Sequence, residues 1–310
     1  MEVIDISDKE YKNIFSTPYH VYNSVPFNLL NSKKCDYVRF LLFKDAKPRL
    51  GLILGASGDT VSSPFSAPFG GFTFLSDQLN QQHIDDALVL LDDYLKSQSI
   101  HYIKMILPPL CYNNLFLSKL INSLNRYGYS TSSVELNYVF LTSLFDQDYE
   151  KTLLHNARKK LQTSFLYPLV FKKTSDLKAA YEVIAINRKE RGFPLRMTFE
   201  QVEKTAEIIR CDAFVVEFEQ TLIASAIVFR VAQDIAQVIY WGDLQDYTYI
   251  RTMNFLSYKV FEYYKNKKLR IVDIGPSTEN GIPNLGLCEF KESIGCNIDL
   301  KFVFEKKINA

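Results

Sequence analysis

Apolar patterns along the first half of the chain predict a mixed α/β domain. Two apolar runs, YVRFLLF (37–43) and RLGLILG (49–55), flank a short polar turn and predict a β-hairpin. Helical periodicity of apolar residues predicts a helix from His83 to Lys96, and HYIKMIL (101–107) is predicted as the strand that follows. The remaining predicted elements of this half are a helix from Asn113 to Tyr127, stopped by Gly128, and a strand over 132–142.

The second half begins with additional elements and then repeats this order. A polar, basic helix, a strand and two helices come first, and a hairpin around Gln220 then leads into strand, helix, strand, loop, helix and strand. Gly295 stops the last helix, as Gly128 stops its counterpart. The predicted bounds are 148–163 for the basic helix, 169–173 for its strand, 176–191 and 198–210 for the two helices, 213–219 and 221–230 for the hairpin, and then 236–242, 249–264, 270–274 and 298–305.

Matched spacings between the halves predict the duplication of one domain. A period of roughly 150 residues predicts two α/β domains, 1–145 and 146–310. Each is expected to hold a mixed, mostly antiparallel sheet flanked by helices. The matched intervals are 30 residues from Gly71 to His101 against 29 from Gly242 to Ile271, and 20 from Pro108 to Gly128 against 19 from Pro276 to Gly295.

Composition and charge describe an ordinary globular chain. The 310 residues are 47% hydrophobic and 23% charged, and the formal net charge of +1 gives no global electrostatic footprint for DNA. The five cysteines contain no CxxC pair, which indicates reduced thiols. An acidic N-terminus and the lack of a long apolar run predict neither a signal peptide nor a transmembrane segment, so we expect a cytoplasmic protein.

Sequence motifs exclude several common chemistries. The four histidines show no metal-ligand spacing, so no metal site is predicted. No GxSxG elbow, GxxxxGKS/T loop or GxGxxG fingerprint is present. The conspicuous feature is instead a polar loop, from Gly275 to Asn284, that follows the apolar strand RIVDI (270–274).

This loop offers polar side chains at the end of a buried strand, where α/β sheets bind ligands. Asp273, at the tip of the strand, either accepts a proton or holds the loop through an Asx-type hydrogen bond, and both alternatives stay open. Gly275 and Gly281 are predicted to permit either a positive φ or the close approach of a ligand. The side chains expected to contact a substrate are Ser277, Thr278, Asn280 and Asn284.

The order hairpin, helix, strand, loop, helix, strand resembles the GNAT acyltransferase fold, and its doubling resembles the Fem-type aminoacyl transferases. In the second half the resemblance rests on NARKKLQTS (156–164), NRKERGFPLRMTFEQV (187–202), VIYWG (238–242) and VDIGPSTENGIPNLGLCEFKESIG (272–295), and in the first half on SPFSAPFGGF (63–72). One stretch departs from the family pattern. GDLQDYTYIRTMN (242–254) lacks the Gly-rich turn that acyl-CoA-binding members offer to a pyrophosphate.

The resemblance implies catalytic and donor-binding roles near the C-terminus. Lys291, in the Phe-Lys pair that closes the pattern, is implied to neutralise the developing oxyanion, and Phe290 to line the acyl-donor end. The alternative for Lys291 is a solvated lysine between Glu289 and Glu292. Because this position lies at the edge of a short helix, its loss is expected to leave folding almost unchanged.

Substrate contacts are also implied elsewhere in the second half. Tyr240 belongs to VIYWG, and Arg158 to a basic cluster with Lys159 and Lys160. A second basic cluster is formed by Arg188, Lys189, Arg191 and Arg196. Each cluster is either a site for phosphates of a nucleotide-linked acceptor, CoA or tRNA, or an ordinary solvated helix face.

The resulting hypothesis is a tandem GNAT, Fem-like acyltransferase. It would move an acyl or aminoacyl group to an amine or hydroxyl of a cell-envelope acceptor, such as a peptidoglycan precursor, or of another small molecule. The alternatives are an acyl-CoA-dependent N-acetyltransferase and a degenerate GNAT pair that acts as a binding protein. No cofactor is expected to be bound permanently, and acyl-CoA or aminoacyl-tRNA would be the co-substrate. The acceptor, the acyl group and the oligomeric state stay open at this point.

Overall fold

The apolar runs of the sequence form strands, and its periodic segments form helices, in the computed structural model, which describes residues 1–75 and 79–308. Within these ranges the α-helices are α1 (Asp8–Ile14), α2 (Val25–Leu30), α3 (Gln81–Ser97), α4 (Asn114–Arg126), α5 (Tyr149–Thr152), α6 (His155–Ser164), α7 (Leu177–Arg191), α8 (Phe199–Ala206), α9 (Thr252–Asn266) and α10 (Leu285–Ser293). No helix in the described ranges has both the length and the apolar character needed to cross a membrane.

Each predicted strand is present in the structure. The strands of the described ranges are β1 (Glu2–Asp5), β2 (Tyr37–Lys44), β3 (Pro48–Ser57), β4 (Thr60–Ser63), β5 (Phe72–Phe74), β6 (Tyr102–Ile106), β7 (Ser130–Leu141), β8 (Val170–Thr174), β9 (Cys211–Phe218), β10 (Thr221–Arg230), β11 (Ile235–Asp243), β12 (Ile271–Pro276), β13 (Thr278–Glu279), β14 (Ile282–Pro283) and β15 (Asn297–Lys307). Of these, β1, β4, β5, β13 and β14 are strands that the sequence patterns did not predict. Both predicted hairpins, β2–β3 and β9–β10, are confirmed.

The chain divides into two units of packed residues. The first comprises Met1–Leu136, Thr278–Ile282 and Asp299–Ala310, and the second comprises Asn137–Ser277 and Pro283–Ile298. Most of β15 therefore belongs to the first unit, and the end of β7 belongs to the second. The duplication with a boundary at residue 145 stays a prediction.

The first unit contains a mixed sheet in the order β1-β2-β3-β4-β6-β15-β7, with β5 beside β3. Strands β2 and β3 are antiparallel, whereas β4 and β6 run parallel, with Thr60 to Ser63 paired with Tyr102 to Met105. Strand β15 lies antiparallel to β6. Helices α3 and α4 pack against each other, with Leu88 and Leu120 buried in the core.

The second unit contains the end of β7 followed by β12-β11-β10-β9-β8. Its pairings are antiparallel except between β11 and β12, which run parallel. That parallel pairing covers only Ile235 to Gln237 with Ile271 to Asp273. The predicted fold class, α/β with mixed, mostly antiparallel strands flanked by helices, is confirmed.

Two helices occupy matching places before the last strand of each half. Helix α4 begins at Asn113, whose Oδ1 accepts the Phe116 N–H at 3.0 Å, and α10 begins at Asn284 in the same way. Gly128 and Gly295 follow the helix ends with φ values of +78° and +82°, a conformation that favours glycine. The two predicted glycine stops are therefore confirmed.

The predicted basic helix over 148–163 is wrong in its extent. Leu153 and Leu154 have extended backbone angles, and they separate the single turn of α5 from α6. Asp148 begins α5 with a φ of +61°. The Arg158 guanidinium stabilises this break because it donates to the carbonyl oxygens of Glu150 and Leu153. A side-chain contact of this kind leaves no trace in the apolar periodicity.

Candidate active site

The parallel strands β11 and β12 part after their third pair of residues, and this is where the candidate site begins. The last pair joins Gln237 to Asp273, and both side chains are buried. Strand β12 continues beside β7, and its register shifts between Asp273 and Pro276. The carboxyl end of a parallel strand next to such a gap is a common ligand-binding position in α/β proteins.

Asp273 is fully enclosed, and both of its carboxylate oxygens accept hydrogen bonds. Asn137 Nδ2 and Gln237 Nε2 donate to Oδ1 and Oδ2 respectively, each at 2.8 Å. The Gly275 N–H donates to Oδ1 at 2.9 Å, which is the Asx-type bond that was one of the two predicted alternatives. This geometry favours Asp273 as an anchor of the loop over Asp273 as a proton acceptor.

Lys291 is buried, which contradicts the alternative of a solvated lysine between Glu289 and Glu292. The residue as a whole is only 4% exposed. Nζ donates to the carbonyl oxygens of Gly275 at 2.9 Å and Pro276 at 3.0 Å, and it lies 5.2 Å from the centroid of the Tyr138 ring. The premise that Lys291 lies at an exposed helix edge is therefore wrong, because its ammonium is hydrogen-bonded to the end of β12, whereas its contribution to folding stays a prediction.

Burial controls the charge of Lys291. Desolvation lowers the pKa of the ammonium to about 8, although the nearby groups of Cys296, Asp273 and Cys288 act in the opposite direction. An ammonium has three N–H groups, and the two carbonyl oxygens use two of them. One N–H remains for a further acceptor.

Both backbone polar groups of Gly275, its N–H and its carbonyl oxygen, form hydrogen bonds with side chains. Asp273 accepts its N–H, Lys291 donates to its carbonyl oxygen, and its φ of +73° confirms the predicted positive φ. No heavy atom lies within 4 Å of the place where a Cβ would be. The conformation, not crowding, therefore accounts for glycine at this position.

Tyr138 lies between Lys291 and Glu292 and contacts both. The Tyr138 hydroxyl donates to Glu292 Oε1 at 2.8 Å, and burial raises the pKa of this tyrosine. Glu292 is exposed but bonded, whereas Glu289 is exposed without a hydrogen bond to the described residues, so Glu289 is the better control position. Ser277 is 3% exposed, and its Oγ has no hydrogen-bond partner among the described residues.

The other loop residues have structural roles: they accept a backbone hydrogen bond, form a turn or cap a helix. Thr278 Oγ1 accepts the Leu136 N–H at 3.0 Å. Asn280 and Gly281, with φ values of +53° and +78°, form the two-residue turn between β13 and β14, as Asn-Gly does in type I′ hairpins. Asn284 caps α10. Their roles as substrate contacts stay predictions.

Phe290 and Arg158 have different surroundings. Phe290 is half-buried, and its ring centroid lies 6.3 Å from that of Trp241 in an edge-on arrangement. Arg158 donates to backbone carbonyl oxygens, including that of Glu150 at 2.7 Å, so much of its guanidinium is already used. In the basic cluster of α6, Lys159 and Lys160 are the exposed members.

Backbone N–H groups of the turn after β11 donate hydrogen bonds to acceptors within the chain. Leu244 N–H donates to a carbonyl oxygen of β10 at 2.8 Å, and Gln245 N–H donates to Glu190 Oε2 at 2.9 Å. A Cβ on Gly242 would lie 2.4 Å from Asn187 Oδ1, so α7 fills the space beside this glycine. At least these two N–H groups of the turn are therefore not free to hold a pyrophosphate, as those of a Gly-rich turn are.

Sequence reasoning did not single out Asn137, Gln237 or Tyr138. The available signal was an uncharged amide within an otherwise apolar strand, as in LNYVFL (136–141) and IAQVIYWG (235–242). A buried amide needs partners, so it indicates a polar network before the network is known. Among the described residues, no group of three or more His, Cys, Asp or Glu side chains is arranged to hold a metal ion.

Three solved structures with the same fold as this chain share little of its sequence. FemX is 12% identical with a TM-score of 0.71, and the match covers 99% of this chain and 97% of FemX. The C-terminal domain of a putative lysylphosphatidylglycerol synthetase from Agrobacterium fabrum is 10% identical, with a TM-score of 0.60 and coverage of 98% and 93%. A tandem GNAT protein from the clavulanic acid biosynthesis pathway is 9% identical, with a TM-score of 0.52 and coverage of 100% and 99%.

No protein-family model matches the sequence, and no curated protein matches it significantly. The similarity to the solved structures is therefore a similarity of fold. The predicted resemblance is confirmed at that level: this chain has the tandem GNAT fold that FemX also has.

Proposed function

We propose that this chain is an acyltransferase that moves an acyl or aminoacyl group from an activated donor to an amine or hydroxyl. The observation that supports this most directly is the buried Lys291 ammonium at the carboxyl end of β12. A buried cation with a lowered pKa and an N–H to spare is typical of a functional site.

The proposed step begins when the acceptor nitrogen or oxygen attacks the carbonyl carbon of the donor. The π electrons of the carbonyl move to its oxygen, and the remaining N–H of Lys291 donates to that oxyanion. Collapse of the tetrahedral intermediate expels the donor alcohol or thiol, which takes up the proton that the acceptor loses. Lys291 accelerates this step because its positive charge interacts more strongly with the oxyanion than with the neutral carbonyl oxygen of the donor.

Asp273 acts in this proposal as a positioning residue. It holds Gly275, whose carbonyl oxygen in turn fixes Lys291. Its negative charge also favours the protonated form of Lys291. The amides of Asn137 and Gln237 stabilise the buried carboxylate.

The turn after β11 favours an aminoacyl ester over acyl-CoA as the donor. Its N–H groups at Leu244 and Gln245 already have acceptors within the chain. Lys159 and Lys160 are exposed and could contact the phosphates of a charged tRNA. The acceptor in this proposal is a cytoplasmic cell-envelope precursor, such as a peptidoglycan precursor, or another small molecule, with Ser277 and Tyr240 among its contacts, whereas Phe290 lines the acyl-donor end.

A transfer assay with two donors tests the proposal. Aminoacyl-tRNA and acetyl-CoA, each with a labelled acyl group, are incubated with the protein and either nucleotide-linked peptidoglycan precursors or small amines. We expect label in the acceptor from aminoacyl-tRNA, and its loss in Lys291→Ala but not in Glu289→Ala. Transfer from acetyl-CoA would support the N-acetyltransferase alternative. No transfer from either donor would leave the binding-protein alternative.

A further inference from the structure

Arg188 is a half-buried cation without a partner in the second unit. It lies in the last turn of α7, and its Nε is enclosed without an acceptor. Its guanidinium donates no hydrogen bond to any residue in the described part of the chain. Burial lowers the pKa of Arg188, and no carboxylate is near enough to oppose this effect.

Two other arginines with limited exposure each have a carboxylate partner. Arg39 pairs with Asp5 at 2.7 Å, and Arg49 pairs with Asp45 at 2.9 Å. Desolvating a charge without a counter-ion costs free energy, which folded proteins usually avoid by pairing. Arg188 therefore has the surroundings of a paired arginine while lacking the anion.

Aromatic rings hold the Arg188 guanidinium in place. Its Cζ lies 5.9 Å from the ring centroid of Phe193 and 5.8 Å from that of Tyr240. The Tyr240 hydroxyl accepts the Met197 N–H at 3.0 Å. Burial raises the pKa of the Tyr240 hydroxyl, and the charges of Arg188 and Arg196 act in the opposite direction, so two cations lie near the same oxygen. Both rings lie within cation–π distance of the guanidinium, whose planar fork suits recognition of a planar or tetrahedral anion.

This cluster lies on one face of β11, and α10 packs on the other. Gly242 meets Asn187 of α7, whereas Trp241, the next residue back, meets Phe290 of α10. Successive side chains of a strand point to opposite faces. Tyr240 lies three residues beyond Gln237, about 10 Å along the strand from the point where β11 and β12 part.

We infer that Arg188, together with Tyr240, forms a binding site for an anionic group, a carboxylate or a phosphate, on the α7 face of the second unit. That the anion belongs to the acceptor rests on the proposed function, because the donor carbonyl is assigned to the face that carries Lys291. Anion binding itself does not depend on that assignment.

Calorimetric titration at low ionic strength tests the site with two probes. Inorganic pyrophosphate represents a phosphate group and succinate a carboxylate. We expect at least one to bind, and Arg188→Met to weaken it by about tenfold or more, because a fixed guanidinium contributes charge and paired hydrogen bonds. Lys189→Met removes the same charge from an exposed position of the same helix and is expected to change affinity less than about twofold.

The two probes and the control separate the outcomes. Tighter binding of pyrophosphate assigns a phosphate-bearing ligand, and tighter binding of succinate a carboxylate. Failure of both probes to bind overturns the site, and so does an equal loss in the Arg188→Met and Lys189→Met proteins. Binding that depends on Arg188 in a protein without transfer activity overturns the proposed function and leaves the anion site standing.

Stability without ligand gives a second readout. Since Arg188→Met removes an unpaired, partly desolvated charge and keeps an apolar chain between the rings, we expect its unfolding midpoint to match or exceed that of the unaltered protein. A lower midpoint with unchanged probe binding would mean that Arg188 serves only in packing.

Discussion

The two units place different side chains at matching points of their parallel strand pairs. In the first unit the last parallel pair is Ser63 with Met105, and in the second it is Gln237 with Asp273. The Ser63 hydroxyl accepts the Gly71 N–H at 2.9 Å, which closes its own loop. At this position the first unit has a thioether where the second has a buried carboxylate.

The helices that follow these strands differ in the same way. Leu124 of α4 and Lys291 of α10 have equivalent backbone contacts, because the carbonyl oxygen of each accepts the N–H five residues later, at 3.0 and 3.1 Å. Leu124 is fully buried and Lys291 is 4% exposed. At these two positions the first unit therefore has an apolar side chain and the second a charged one, although the first unit also buries a carboxylate, Asp85, which pairs with Arg126. Buried charge costs stability and often occurs at functional sites, so the difference at these two positions supports the role proposed for Lys291.

Making the first unit resemble the second is expected to have the largest effect. Leu124→Lys places an ammonium in a position shaped for leucine, and the cost is about 3–5 kcal/mol of unfolding free energy. Denaturant unfolding measures it, with Leu115→Lys, the same substitution at a 59% exposed position of α4, as the control. A loss below about 1 kcal/mol would show that the first unit tolerates charge at this position, and the contrast between the halves would lose its meaning.

The reverse change, Lys291→Leu, is expected to affect turnover more than folding. Loss of oxyanion stabilisation lowers kcat by about 10²–10³-fold, or about 3–4 kcal/mol, with KM little changed. Unfolding free energy shifts by about 2 kcal/mol or less, because relief from burying a charge offsets the loss of hydrogen bonds to Gly275 and Pro276. Equal turnover in the Lys291→Leu and Glu289→Ala proteins would reduce Lys291 to a structural clamp.

Asp273→Met copies Met105 of the first unit and tests the anchor. It leaves the amides of Asn137 and Gln237 and the Gly275 N–H without their acceptor, so we expect a loss of about 2–3 kcal/mol in unfolding free energy. Turnover should fall as well, because Asp273 no longer holds Gly275, whose carbonyl oxygen fixes the Lys291 ammonium. A variant of normal stability that lacks only the acidic limb of its pH–rate profile would instead identify Asp273 as a proton acceptor.

Sequence patterns predict the frame of this molecule better than the chemistry of its site. The strands of RIVDI and VIYWG and the stops at Gly128 and Gly295 follow from periodicity and from backbone conformation, which are local properties. The burial of Lys291 is not local, because it depends on carbonyl oxygens 15 and 16 residues earlier. The Asp273 network likewise joins residues up to 136 positions apart, which no spacing rule reveals.

The pH dependence of turnover is the smallest expected effect, and it tests the protonation state of Lys291 directly. Its pKa is lowered from 10.5 to about 8, so the ammonium is present below pH 8 and lost above it. With saturating acceptor, kcat should be half-maximal near pH 8 and about tenfold lower near pH 9, whereas Lys291→Arg should keep its lower activity across this range.

Stability should move in the opposite direction over the same range. Between pH 8 and 10.5 the unfolded chain retains the Lys291 proton that the folded protein has released, so the unfolding free energy contributed by this group rises with pH, by up to about 3 kcal/mol. The Lys291→Leu protein provides the baseline, since titration of other groups is common to both. Falling turnover with rising relative stability would identify Lys291 as the titrating group. A profile that is flat to pH 10 in both measurements would mean that its charge is neither strained by burial nor used in the reaction.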